Sequence, residues 1–214
     1  TMQSQLPDGS TVWLNVNSSL TYNLDMTKER NVILNGEAYF EVEADKNRPF
    51  TVDAPGLSVT ATGTAFNVNA YDNDPQTTVT LVNGKVSAMT SDDESLALAP
   101  DQQLVFDRQT GVSDIYDTDT YKWCAWKDGK LIFRDTPLGD VFKRLAQIYN
   151  VDFAIESPGV NNYTCRATFE GENLTEILHL IELSAPISCN ITDVSQEQNA
   201  DDHFTRYHIS VSER

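Results

Sequence analysis

The 214 residues suffice for one large domain or two small ones, each with its own core. Against 32 acidic residues stand 15 basic ones, a net charge of −17 that repels phosphate backbones, so nucleic acid is excluded as a partner and a basic patch on another protein is favoured. Three cysteines, Cys124, Cys165 and Cys189, are too few for a disulfide scaffold and have no metal-ligand spacing.

From the N-terminus, short alternating segments succeed one another with little helical periodicity. Val12, Leu14 and Val16 alternate with Trp13, Asn15 and Asn17, and Ala38, Phe40 and Val42 alternate with Tyr39, Glu41 and Glu43, the period of half-buried strands. Asp8-Gly9, Asn35-Gly36 and Asn83-Gly84 lie between apolar runs and read as chain reversals, because both central residues of such a turn take φ > 0. In Val59–Ala70 the inward set changes from odd (Val59, Ala61) to even (Phe66, Val68, Ala70), which predicts a bulge or bend at Gly63-Thr64. Strands are predicted over 78–82, 85–89, 95–98 and 103–106, so residues 1–117 read as an all-β roll or sandwich. The acidic run Asp92-Asp93-Glu94 between two of these strands reads as a solvated loop tip.

Residues 114–120 are polar and aperiodic, which suits a linker, with Trp123 and Trp126 packing it onto the second domain. That predicted domain spans residues 118–214. Its core is one pattern written twice: a shift of 36 aligns Phe133 with Phe169, Leu138 with Leu174, Val141 with Ile177, Phe142 with Leu178 and Leu145 with Ile181. Each copy reads as strand, helix, strand, so the second domain is a small α+β unit of two βαβ-like repeats. Asp135-Thr136 supplies the predicted capping oxygen of a first helix starting at Pro137 and ending at Asn150; Asn173 is the predicted cap of the second, with Pro186 after it. Cys165 and Cys189 fall in predicted strands of the second copy, either bridged or as buried free thiols. Residues 193–202 read as a polar excursion, and 204–211 as a last strand at a sheet edge.

The residues offer no catalytic constellation. His179, His203 and His208 have no HxxxH or HExxH pairing, and the chain lacks GxSxG, GxGxxG and GxxxxGK[ST], so no catalytic residue, metal ligand or cofactor site is assigned. Glu41 and Glu43 are adjacent on one strand face and offer the carboxylate pair of a glycosidase cleft, a rival reading, although chance supplies such pairs in so acidic a domain. No transmembrane run or signal peptide is visible, and with threonine instead of methionine at position 1 the sequence is expected to be a fragment of a longer protein.

The N-terminal segments resemble the periplasmic region of the FecR family of anti-sigma factors. The residues that carry this are Leu6–Asn15 (LPDGSTVWLN), Arg30–Val42, Pro49–Val52, Val59–Val68 with its GTxFNV core, Thr80–Val86 and Leu98–Gln103. The doubled stretch is similar to the domain at this place in Bacteroidetes members, itself like the short N-terminal domain of secretins and TonB-dependent receptors. The resemblance implies a non-enzymatic inner-membrane regulator. Its cytoplasmic segment, absent from this sequence, would hold an extracytoplasmic-function sigma factor, and a missing helix would anchor the protein with this region in the periplasm. The implied partner there is the N-terminal signalling domain of an outer-membrane TonB-dependent transducer. An edge in the second domain, at the terminal strand or at 164–169, is the expected docking place, with Phe204, Arg206, Tyr207 and His208 as the leading patch. The alternative is a carbohydrate-binding module using Trp13 and Tyr39 as stacking platforms.

Overall fold

Alternation in the first half becomes strand after strand in the computed structural model, which describes residues 1–199 and 202–214, with side chains described outside 192–206. The chain divides into two compact units, Thr1–Asp128 and Gly129–Arg214.

In the first unit the strands are β1 (Met2–Gln5), β2 (Thr11–Leu14), β3 (Ser19–Tyr22), β4 (Arg30–Glu41), β5 (Phe50–Ala54), β6 (Leu57–Ala61), β7 (Ala65–Ala70), β8 (Gln76–Asn83), β9 (Val86–Thr90), β10 (Ser95–Leu98), β11 (Gln102–Asp107) and β12 (Ser113–Asp117). Among the described residues they run in the order β10-β9-β6-β5-β4-β7-β8-β11-β12, with β1, β2 and β3 beside β4. The long β4 is shared: its Arg30–Ile33 end pairs with β5, and its Gly36–Glu41 end pairs with β7. Both arms close over one apolar core, in which Phe40 stacks on Phe66 at 5.2 Å and lies 5.8 Å from Phe50.

The three glycine turns differ in what they do. Gly9 sits in the hairpin joining β1 to β2, as predicted. Asn35-Gly36 is no reversal: it lies inside β4, where the strand passes from one set of neighbours to the other, and Ser18 atoms fill the place a Gly36 Cβ would take. Asn83-Gly84 joins β8, paired with β7 and β11, to β9, paired with β6 and β10, so it crosses between arms instead of making a hairpin. The bend at Gly63 makes the same crossing from β6 to β7, which is why the inward residues change parity there.

Two buried polar clusters pin this unit. Arg30 pairs with Asp8 at 3.2 Å and donates to the carbonyls of Glu43, Asp45 and Arg48, holding the β4–β5 connection against the first hairpin. Its buried charge is thereby hydrogen-bonded, the condition under which burial is tolerated. The Glu37 carboxylate accepts from Asn15 at 2.7 Å and Asn67 at 3.0 Å, and Asn67 Oδ1 accepts from the Trp126 indole at 3.1 Å.

The predicted linker is largely ordered within this unit. Ser113–Asp117 is strand β12, paired with β11, and α1 (Thr120–Cys124) and a 3₁₀ turn (Ala125–Asp128) come after it. An edge strand exposed along most of its length writes no apolar period, so the sequence hid it. Trp123 donates to Thr118, and Trp126 to Asn67, so both indoles bond back into the first unit and the boundary falls after Asp128 instead of at 117/118.

The second unit contains β13 (Lys130–Pro137), α2 (Leu138–Tyr149), β14 (Val151–Ile155), a 3₁₀ turn (Pro158–Asn162), β15 (Thr164–Glu170), α3 (Leu174–Ser184), β16 (Ile187–Asn199) and β17 (Asp202–Glu213). Both strand–helix–strand copies are present, and the strands of each are divided between two sheets: β13 pairs with β15, while β14 and β16 flank β17. Leu138, Val141, Phe142 and Leu145 of α2 and Ile177, Leu178 and Ile181 of α3 fill the core. Asn150 ends α2 in the left-handed conformation, and Asn173 starts α3 with a full capping box to Glu176. The side-chain cap expected from Asp135-Thr136 is absent. Pro137 holds the cap position, and Asp135, at φ 51, lies in a bulge of β13 and reaches across to Arg166 instead. Among the described residues no helix is long and apolar enough to cross a membrane.

Candidate functional site

A partner adding a strand requires backbone N–H and C=O groups that no neighbour has taken. Over much of its length the terminal strand β17 does not supply them. Its Tyr207–Val211 segment has β14 parallel on one side and β16 antiparallel on the other, so it is central and not an edge. The polar excursion at 193–202 is in fact taken up by the β16–β17 pairing, which brings β16 to Asn199 and starts β17 at Asp202; Ala200 and Asp201 lie outside the described residues.

Among the described residues open edges remain on β14 and β16, along Asp202–Arg206 of β17, and on both strands of the other sheet. Among the described residues β13 and β15 pair only with each other, antiparallel from Lys130↔Glu170 to Pro137↔Thr164, so each leaves one edge open. One side chain of every two faces inward: Cys165 and Phe169 are buried in the core, while Thr164, Arg166, Thr168 and Glu170 are exposed. Across the pair Arg166 holds Asp135, its Nε 2.9 Å from Oδ1 and its Nη2 on Oδ2, and Lys130 meets Glu170 at 3.2 Å. The guanidinium hydrogen bonds hold the Asp135 carboxyl below the usual carboxylate range.

Of the four predicted patch residues, the structure describes two side chains. Tyr207 is exposed at the end of the β17 segment covered by β14, and His208 Nδ1 lies 3.5 Å from Asp152 Oδ2 on the neighbouring strand. The side chains of Phe204 and Arg206 lie outside the described ones, as does that of His203. His179 is exposed on α3. Predicted inner-face residues of α3 pack as expected; Leu180 and Leu183, which that periodicity leaves over, point outward, and their exclusion from the i, i+3, i+4 set is the signal the sequence carries for them.

Elsewhere the candidates lose their chemistry. Tyr39 is 4% exposed and meets Trp13 edge-on at 5.6 Å, with Lys127 Nζ 5.3–5.5 Å from both ring centroids, so the pair is no open platform for a sugar. Burial pushes the Tyr39 phenol up. Glu41 and Glu43 border a groove of about 420 Å³ with Thr11, Thr64 and Asn83. They sit side by side on one stretch of chain, whereas glycoside hydrolysis sets two carboxyls on either side of the scissile bond. Among the described residues no group of His, Cys, Asp and Glu is arranged to hold a metal ion. All three cysteines are free. Burial, reinforced by Glu182, pushes the Cys189 thiol up to about 12, and burial raises Cys165 too, which makes both poor nucleophiles.

Comparison with known proteins agrees with both halves of this description. The family model "FecR protein" matches residues 1–87, and "FecR, C-terminal" matches residues 130–196. Two crystal structures from Parabacteroides distasonis, assigned as an anti-sigma factor, are similar over nearly the whole chain. One is 27% identical with a TM-score of 0.82, covering 100% of this chain and 94% of that one; the other is 27% identical with a TM-score of 0.79, covering 98% and 93%. No curated protein matches. With both domains matched in order on an all-β unit preceding an α+β unit, the chain belongs to the FecR family of anti-sigma factors, non-enzymatic signalling regulators.

Proposed function

We propose that this chain is the periplasmic signal-receiving region of an inner-membrane regulator, relaying the state of an outer-membrane TonB-dependent transducer to an extracytoplasmic-function sigma factor. The observation that carries the reading is the open edge of β15 in the C-terminal domain. An extended segment of the transducer's N-terminal signalling domain adds there through main-chain hydrogen bonds, a mode that demands no catalytic group. The end of β17 with Phe204, Arg206, Tyr207 and His208 is the second contact we assign to this partner. The acidic surface favours a basic face on the transducer domain and speeds its approach. The sigma factor is held by a cytoplasmic segment outside this sequence, joined through a membrane helix.

Each unit has its own core, so the division of labour is testable by parts. Immobilised residues 129–214 retain the purified signalling domain of the cognate transducer, and residues 1–128 do not. Retention by 1–128 alone would sink the assignment.

A further inference from the structure

The two copies of the doubled stretch differ on one side of their helices. The 36-residue shift that superposes their core positions also places Arg144 opposite Leu180 and Gln147 opposite Leu183. In α2 those residues are polar and bonded to each other, Arg144 Nη1 donating to Gln147 Oε1 at 3.2 Å, and Gln147 is 6% exposed, so that side of α2 is covered where the matching side of α3 is open. In α3 the core is filled by Ile177, Leu178 and Ile181, while Leu180 and Leu183 are 44% and 71% exposed. With Glu176 they recur at i, i+4 and i+7, which sets them in one stripe on the side away from the core. Two large apolar side chains left side by side in water on one helix face form a patch that a partner can cover. Among the described residues the second unit leaves both exposed.

Charge identifies the other. α3 carries Glu176 and Glu182 and neither lysine nor arginine, Glu172 stands just before its cap, and the chain as a whole is at −17. A second copy would bring like charges together around the leucines, at a cost in repulsion. We infer that the outward face of α3, centred on Leu180 and Leu183, docks an apolar surface edged with lysine or arginine on the transducer's signalling domain, a conclusion that rests on the relay proposed above. The strand edge of β15 gives sequence-tolerant backbone pairing, and the leucine stripe gives the choice of partner.

The test titrates the full chain, and its Leu183→Asp and Leu180→Ser variants, with the purified signalling domain of the cognate transducer. Both positions are exposed, so both variants keep the wild-type melting temperature. Each weakens binding about tenfold or more, and wild-type binding weakens as salt is raised. Wild-type binding that neither variant changes overturns the inference and leaves the relay standing. Absence of wild-type binding overturns both. A wild-type chain that sediments as a dimer, made monomeric by Leu183→Asp, would assign the face to a second copy and overturn the inference as well.

Discussion

Trp126 donates its indole N–H to Asn67 Oδ1 at 3.1 Å, and the same Asn67 donates to the buried Glu37 carboxylate at 3.0 Å. A residue just before the unit boundary is thus tied to the middle of β7 and β4. Trp126→Phe removes the donor and leaves a buried acceptor unmatched, which costs about 1–3 kcal/mol. Urea unfolding of residues 1–128 measures it. A variant as stable as the parent would show that the tie is ornamental.

Gly36 and Gly9 separate two reasons for glycine. Both have positive φ, but a Cβ on Gly36 would come within 2.7 Å of Ser18 Cα, whereas at Gly9 the nearest neighbour is Glu43 Cγ at 3.9 Å. Gly9→Ala meets backbone strain alone, about 1 kcal/mol, and Gly36→Ala adds a clash with backbone and costs roughly 2 kcal/mol more. Equal losses in denaturant unfolding would mean that β4 bends without needing the close approach.

Alkaline stability reports on Cys189. Its native thiol is pushed up to about 12 by burial first and Glu182 second, against 9.0 in an unfolded chain. The native state therefore prefers the protonated thiol. Its contribution is complete below pH 9 and drains away as pH rises toward 12. Cys189→Ala removes this pH-dependent component, so the variant's unfolding free energy declines less steeply than the parent's above pH 9; parallel curves would contradict the assignment. Reaction of the folded chain with a disulfide reagent at pH 8 is slow at Cys165 and Cys189 for the same reason.

At the acid end, Asp135 works in the opposite sense. Hydrogen bonds from Arg166 lower its carboxyl below 3.8, so what the pair contributes is present above that pH and is lost as pH falls below it. Both groups are exposed, so the effect is small and screened by salt. Asp135→Asn flattens the acid limb of the pH–stability curve in low salt and leaves it unchanged in high salt.

Periodicity makes the cores legible and leaves the edges dark. Phe40, Phe66 and Val68 announce themselves by alternation, and Leu138, Val141 and Leu145 by helical spacing, because burial imposes a period on whichever residues face inward. Asn35-Gly36 reads as a reversal because a positive φ serves a strand bent between two sheets as well as a two-residue turn. Ser113–Asp117 reads as a linker because an edge strand in water has nothing to alternate against. The doubled pattern shows two strand–helix–strand copies but not that β14 and β16 close on β17, since pairing between distant strands leaves no mark within either one. Of the two expected docking edges, that pairing closes the terminal strand along Tyr207–Val211 and leaves 164–169 in β15 open on one side.

The proposed relay depends on where the transducer touches this chain. Hydrogen exchange of the full chain, read with and without the purified signalling domain, tests it most directly. New protection is predicted over 164–170 and the outer face of α3, with the amides of 30–41 in β4 unchanged. Protection confined to 1–128, with 164–184 exchanging as in the free chain, would contradict it.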